Sequence, residues 1–150
     1  MATTAPDPIF LDTNVLIYSR LNLSPFHTPA VTKLAALSAA GHQFWISRQT
    51  LREYLAGMSR PGALTGTAPM SAVVNDVRTF AGTYRIAEDG PAVTAELLTL
   101  LNAVTLAGSQ VHDANIVATM LSHGIPRLLT NNVVHFNRFA SFITVEPLVP

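Results

Sequence analysis

Four short stretches of this chain place oxygen ligands at the ends or edges of apolar runs. Ile9-Phe10-Leu11 ends in Asp12-Thr13-Asn14, and Leu128-Leu129 ends in Thr130-Asn131-Asn132. Asp113 stands at the start of a helical segment, and Glu53 lies in the helix after Phe44-Trp45-Ile46. If Asp12, Glu53 and Asp113 converge, their charges must be relieved. Two like charges about 4 Å apart repel by roughly 4 kcal/mol at an effective dielectric of about 20. Protons or a divalent cation can relieve this, and an oxygen-only donor set selects Mg²⁺ or Mn²⁺. Such ions activate water and neutralise charge on a phosphodiester. The chemistry indicated is phosphodiester hydrolysis.

Taken singly, the acids differ in weight. On a wheel of the segment Val111 to His123, Asn115, Thr119, His112, Ser122 and His123 share a polar arc, and Asp113 falls opposite, between Val117 and Met120. A helix dipole favours an acid in the first turn, but does not explain why it faces an apolar arc, where an unpaired charge is costly. Asp12 can cap the following helix while its other oxygen binds a cation, with Asn14 bracing it from outside. Glu53 lies away from Leu51, Leu55 and Met58 and, by pattern alone, faces solvent. Asn132 is a neutral oxygen ligand or simply a turn residue. Asp7, Asp76, Glu88, Asp89, Glu96 and Glu146 sit in polar or terminal contexts and are expected to be solvated. The histidines, of which His112 and His135 lie nearest these acids, are scattered and lack the close pair of a zinc site.

The elements that must position these residues alternate. Short strands are expected at 9–11, 44–46, 84–86, 127–130 and 142–145. Helices are expected at 14–20, 28–40, 47–58, 70–82, 91–107 and 111–123, with a helical turn at 133–139. Ser47 serves as an N-cap, and Gly41 and Gly124 as stops. The Pro- and Gly-bearing stretch 59–69 is a loop. Strands alternating with helices predict an α/β fold, a three-layer α/β/α sandwich around a short central parallel sheet. In such sheets ligands bind at the carboxyl ends of the strands, where Asp12 and Asn132 fall.

The totals fit one domain over residues 1–150, with 1–7 as a frayed tail. Apolar residues make up 49 % and charged residues 12 %, so the chain can bury a core. Nine basic residues balance nine acidic ones, which gives no vote on nucleic acid. Lys33 is the sole lysine. The arginines offer forks suited to phosphate, although such a bias also arises from genome composition. Without cysteine there are no disulfides or thiolate metal sites. No signal peptide or membrane span is evident, so a cytoplasmic, soluble protein is expected.

At this point the pieces match a known pattern. Phe10-Leu11-Asp12-Thr13-Asn14-Val15-Leu16, Glu53, Val111-His112-Asp113-Ala114-Asn115-Ile116-Val117-Ala118 and Leu128-Leu129-Thr130-Asn131-Asn132-Val133-Val134-His135-Phe136 occur in this order. The chain resembles PIN-domain ribonucleases, especially the VapC-type toxins of bacterial toxin–antitoxin systems. The resemblance implies that Asp12, Glu53 and Asp113 bind metal, with Thr13 and Asn14 supporting the first. Asn132 stands where many members have aspartate and others asparagine, which removes one charge and weighs against a tightly held second metal. The resemblance further implies an Mg²⁺- or Mn²⁺-dependent endoribonuclease acting on RNA, a cognate antitoxin that blocks the cleft, and a homodimer. Arg48, Arg52 and Arg60 are candidates to hold RNA phosphates near Glu53. The loop 59–69 could clasp substrate or antitoxin.

Two rivals stand beside this. A phosphotransfer domain, either a receiver or a haloacid-dehalogenase-type phosphatase, also places aspartate after its first strand. It needs a lysine at the site, and a phosphatase a second aspartate where Asn14 stands. A PIN-like module that binds RNA or protein without cutting is the closer rival, left open by Asn132.

Overall fold

Ile9–Leu11 form the first strand, β1, which is buried along its whole length and runs at the centre of a five-stranded sheet. The computed structural model describes residues 4–60 and 69–150. After β1 come α1 (Thr13–Arg20), α2 (His27–Ala39), β2 (Phe44–Ser47), α3 (Arg48–Met58), α4 (Met70–Thr83) and β3 (Arg85–Ala87). They are followed by α5 (Pro91–Ala103), α6 (Gln110–His123), β4 (Arg127–Thr130), α7 (Val133–Phe136), a 3-10 turn (Asn137–Phe139) and β5 (Thr144–Pro147). The loop expected at 59–69 falls largely, at 61–68, outside the described residues.

The strand order is β3-β2-β1-β4-β5, and every pairing is parallel. Alternation along each strand sorts side chains to two cores. Ile9, Leu11, Ile46 and Leu129 pack with α1 to α4, where Leu16, Tyr54 and Phe80 are buried. Phe10 and Leu128 face the other way, against α5, α6 and α7, with Ile116, Met120 and Phe136. This is the expected three-layer α/β/α arrangement.

The order also fixes where a site can form. From β1 the chain moves outward through β2 and β3, then returns to lay β4 on the other side of β1. Adjacent loops therefore part in opposite directions above β1 and β4, leaving a crevice at their carboxyl ends.

Local signals account for most boundaries. Ser47 and Thr50 exchange side-chain and backbone hydrogen bonds in a capping box that starts α3. Gly124, at φ +67°, ends α6, and the Ile125 amide reaches back to the Met120 carbonyl at 2.9 Å. Most expected boundaries move by a residue or more, and three of the shifts have a local cause. Helix α5 stops at Ala103 because Val104 is extended and the chain must turn to pack α5 against α6. Strand β3 starts one residue late because the Tyr84 amide still closes α4 on the Phe80 carbonyl. Strand β5 starts at Thr144 because the Phe142 and Ile143 amides are engaged by the Phe139 carbonyl.

Two of the acids expected to be solvated are paired and largely covered instead. Glu146 on β5 bonds Lys33 at 3.1 Å and Arg127 at 2.8 Å. Asp76 on α4 accepts a 2.6 Å hydrogen bond from the Tyr54 hydroxyl and lies 3.7 Å from Arg20 Nε. Burial, and then this bond to Asp76, push the Tyr54 hydroxyl well above its ordinary range. Tyr54→Phe removes a hydrogen bond to a charged acceptor, which costs about 1–2 kcal/mol because water can reach Asp76 in part. The expected result is a lower urea midpoint with an unchanged slope, measured by far-UV circular dichroism.

Candidate active site

The apolar strand β1 ends where Asp12 turns the chain into α1. The Asp12 amide still bonds the Leu129 carbonyl of β4 at 3.1 Å, so the acid belongs to the sheet and to the helix at once. Its Oδ1 accepts from the Thr13 amide at 2.8 Å. Its Oδ2 accepts from Asn14 Nδ2 at 3.0 Å and from the Thr130 hydroxyl at 2.7 Å. Asn14 Oδ1 in turn accepts from the Asn131 amide at 3.0 Å. The tips of β1 and β4 are thus laced together around one buried carboxylate. The capping oxygen, not its neighbour, is the one with spare lone-pair capacity, the reverse of what the sequence suggests.

Glu53 is drawn to the same place. Gly57 lets α1 and α3 approach closely, since a Cβ there would lie 3.0 Å from Ile17 Cδ1. Thr13 then donates its hydroxyl to Glu53 Oε2 at 2.7 Å, and Gln49 donates Nε2 to Oε1 at 2.8 Å. The solvent-facing expectation for Glu53 is corrected: the polar face of α3 lines a cleft. Helical periodicity tells which face is polar and not what that face looks onto.

Asp113 enters from α6 with its side chain 28 % exposed, 3.8 Å from His135 Nδ1 on α7. Asp12, Glu53, Asp113, Asn14, Thr13 and Asn132 line one cleft of about 350 Å³, with Arg60 on it as well. The other two arginines lie elsewhere. Arg48 is exposed and pairs with Glu88 at 2.7 Å, and Arg52 is exposed and, among the described residues, does not line the cleft.

The electrostatics follow from the crowding. Burial pushes the Asp12 carboxyl up from 3.8 to about 6, against the pull of its hydrogen bonds from Thr130 and Thr13. The charges of Glu53 and Asp113 push the same way. Asp113 is also raised, first by burial and then by Glu53, while His135, Arg138 and His112 oppose the rise. Carboxylates that resist ionisation beside one another attract protons or a cation.

The donor set suits a hard cation: it is all oxygen, and Asp12 and Glu53 keep lone pairs unused by their partners. Among the described residues, however, no three His, Cys, Asp or Glu side chains stand gathered as a ready metal cage. An ion would draw these acids together rather than drop into a finished shell.

The PIN-domain family model matches residues 9–141. The chain belongs to the PIN-domain family. Solved structures agree in fold. VapBC2 from Rickettsia felis, bound to a DNA fragment from its promoter, matches at a TM-score of 0.69 and 19 % identity, covering 93 % of this chain and 97 % of that one. VapBC-1 from nontypeable Haemophilus influenzae matches at 0.68 and 16 %, covering 95 % and 98 %. VapC20 from Mycobacterium tuberculosis, a toxin that cleaves the sarcin-ricin loop, matches at 0.64 and 18 %, covering 93 % and 99 %. No curated protein matches the chain in sequence.

In this PIN domain one polar residue at the site, Gln49, is not singled out by the sequence, and Asn115 is marked there only by the polar arc of α6 and the motif around Asp113. Gln49 is 7 % exposed and bonds Glu53, the His112 carbonyl and Asn115. Asn115 also donates to Asp89 Oδ2 at 3.1 Å. The available signal for Gln49 was its position four residues before Glu53, on the same helix face. Among the described residues, no helix is long and apolar enough to cross a membrane.

Proposed function

We propose that this PIN domain is a metal-dependent endoribonuclease and the toxin of a toxin–antitoxin pair. The observation that carries the reading is the convergence of Asp12, Glu53 and Asp113, from three chain segments, on one cleft at the reversal of strand order. Asp12, Asp113 and Glu53 would hold Mg²⁺ or Mn²⁺. Bound there, the ion neutralises phosphate charge and lowers the pKa of water. The chain's own residues do the positioning. Thr13, Asn14 and Thr130 fix Asp12, Thr13 also fixes Glu53, and Asn132 adds a neutral oxygen at the rim.

A toxin–antitoxin complex from Klebsiella pneumoniae shares this fold, which supports a cognate antitoxin here, and a cytoplasmic homodimer fits the same reading. The test is cleavage of a structured RNA mixture by the purified protein. Cleavage with Mn²⁺ that stops on chelation supports the reading, and an uncut RNA panel with Mn²⁺ overturns it. Binding without cleavage is the second reading. Asn132 favours it, because it lowers the negative charge available to an ion.

Arg60 lines the cleft while Arg48 is engaged by Glu88. Arg60→Ala is therefore expected to raise KM for RNA several-fold, to leave kcat nearly unchanged, and to reduce the salt dependence of binding by about one phosphate contact. Arg48→Ala is expected to leave both parameters as they are. Steady-state kinetics across a salt series check both.

A further inference from the structure

We propose that Gln49 is a positioning residue that sets the spacing of Glu53 and Asp113, and thereby the affinity of the cleft for a divalent cation. The inference rests on the reading of those two acids as metal ligands.

Both protons of the Gln49 amide are committed. Nε2 donates to Glu53 Oε1 at 2.8 Å and to the His112 carbonyl at 2.9 Å. That carbonyl belongs to the peptide unit whose nitrogen is that of Asp113. On its other side, Gln49 Oε1 accepts from Asn115 Nδ2 at 2.8 Å. One buried amide therefore grips α6 both before and after Asp113, and holds Glu53 with the same nitrogen. Its orientation has no freedom: two acceptors face the nitrogen and a donor faces the oxygen.

The two acids need such a link. Helix α3 packs its apolar side into one core, with Leu51, Tyr54 and Met58. Helix α6 packs into the other, with Ile116, Val117 and Met120. The sheet separates them, so no shared core sets the distance between Glu53 and Asp113. Their charges repel, and Asp113 is lifted by Glu53. Among the described residues, Gln49 supplies the side-chain hydrogen bonds that join α3 to α6 across the end of the sheet. Partners that orient metal ligands in this way change metal affinity or activity by about 10–100-fold when removed.

Mn²⁺ binding, read from the fall in the paramagnetic resonance signal of the free ion, tests this without any turnover. Gln49→Met keeps the length of the side chain and removes the bonds. The expected result is a Kd for Mn²⁺ raised by about 10–100-fold, with KM for RNA unchanged and kcat recovering as Mn²⁺ is raised. A variant that folds and binds Mn²⁺ within a factor of about two of wild type overturns the proposal. Wild-type protein that binds no Mn²⁺ overturns the metal assignment, and the role of Gln49 with it. A wild-type measurement covers the case in which the variant does not fold. The side-chain amide signals of Gln49 should shift on saturation with Mg²⁺ while those of exposed Gln43 stay fixed, and no shift at Gln49 overturns the proposal.

Discussion

Asp12→Asn is expected to abolish RNA cleavage and, in the metal-free protein, to raise the melting temperature. The first effect follows from the proposed role. Asp12 is the most buried acid of the cleft, and it shares Thr13 with Glu53. Losing a charged ligand removes several kcal/mol of stabilisation where phosphodiester charge develops, and each 1.36 kcal/mol is about tenfold in rate. A loss of at least about 100-fold is expected in initial rates with Mn²⁺.

The second effect has the opposite sign because the buried charge is itself a cost. The carboxyl lies at about 6 when folded, against 3.8 as its ordinary value. At 1.36 kcal/mol per unit, the ionised form costs about 3 kcal/mol at neutral pH. Asparagine removes the charge but turns an amide nitrogen toward Asn14 Nδ2 and the Thr130 hydroxyl, which both donate to Asp12. A net gain of about 1–2 kcal/mol remains, or roughly 2–8 °C in Tm for a chain of this size. The pH dependence checks the cause. Since the folded value is raised, the stabilising contribution is complete below pH 3.8 and is lost as pH rises to about 6. Wild type should lose stability across that window, and the variant should lack that part of the slope. A variant that cuts RNA as well as wild type would remove Asp12 from the site. One that is inactive and less stable would show that its hydrogen bonds outweigh its charge.

How much of this was legible in the chain depends on the range of the interaction. The tip of β1 was, because an apolar triplet running into Asp-Thr-Asn marks both a strand end and the cap of the next helix, and Asp12 does cap α1. So was Asp113, because a carboxylate within an apolar helical arc lacks a local explanation. Glu53 was legible only through the family resemblance: its helix period puts it on an outward face, and no local pattern reports that α1 crosses α3 beside Gly57, where Thr13 reaches Glu53. The Tyr54–Asp76 and Glu146–Lys33 pairs were hidden for the same reason, joining residues far apart in the chain. The offset of β5 was hidden differently. An apolar run reports burial, and Ile143 is indeed buried, but the ladder begins only where an amide is left free by the preceding turn.

Divalent metal should supply the same relief as the asparagine by another route, so the two effects should not add. At Mn²⁺ concentrations about 100 times Kd, binding to the folded state alone contributes about 2.7 kcal/mol. For the wild type this is a rise of roughly 5–11 °C in Tm by scanning calorimetry at pH 7.5. Protons compete for Asp12. With a carboxyl near 6, moving from pH 7.5 to 5.5 should weaken Mn²⁺ about fourfold through that group alone. Asp12→Asn, already freed of the buried charge and lacking a ligand, should show little shift with Mn²⁺ at either pH. Equal shifts in the two proteins would mean that the ion binds elsewhere on the surface. A wild-type shift that vanishes in the variant and shrinks at low pH is what a proton-competing carboxylate site demands.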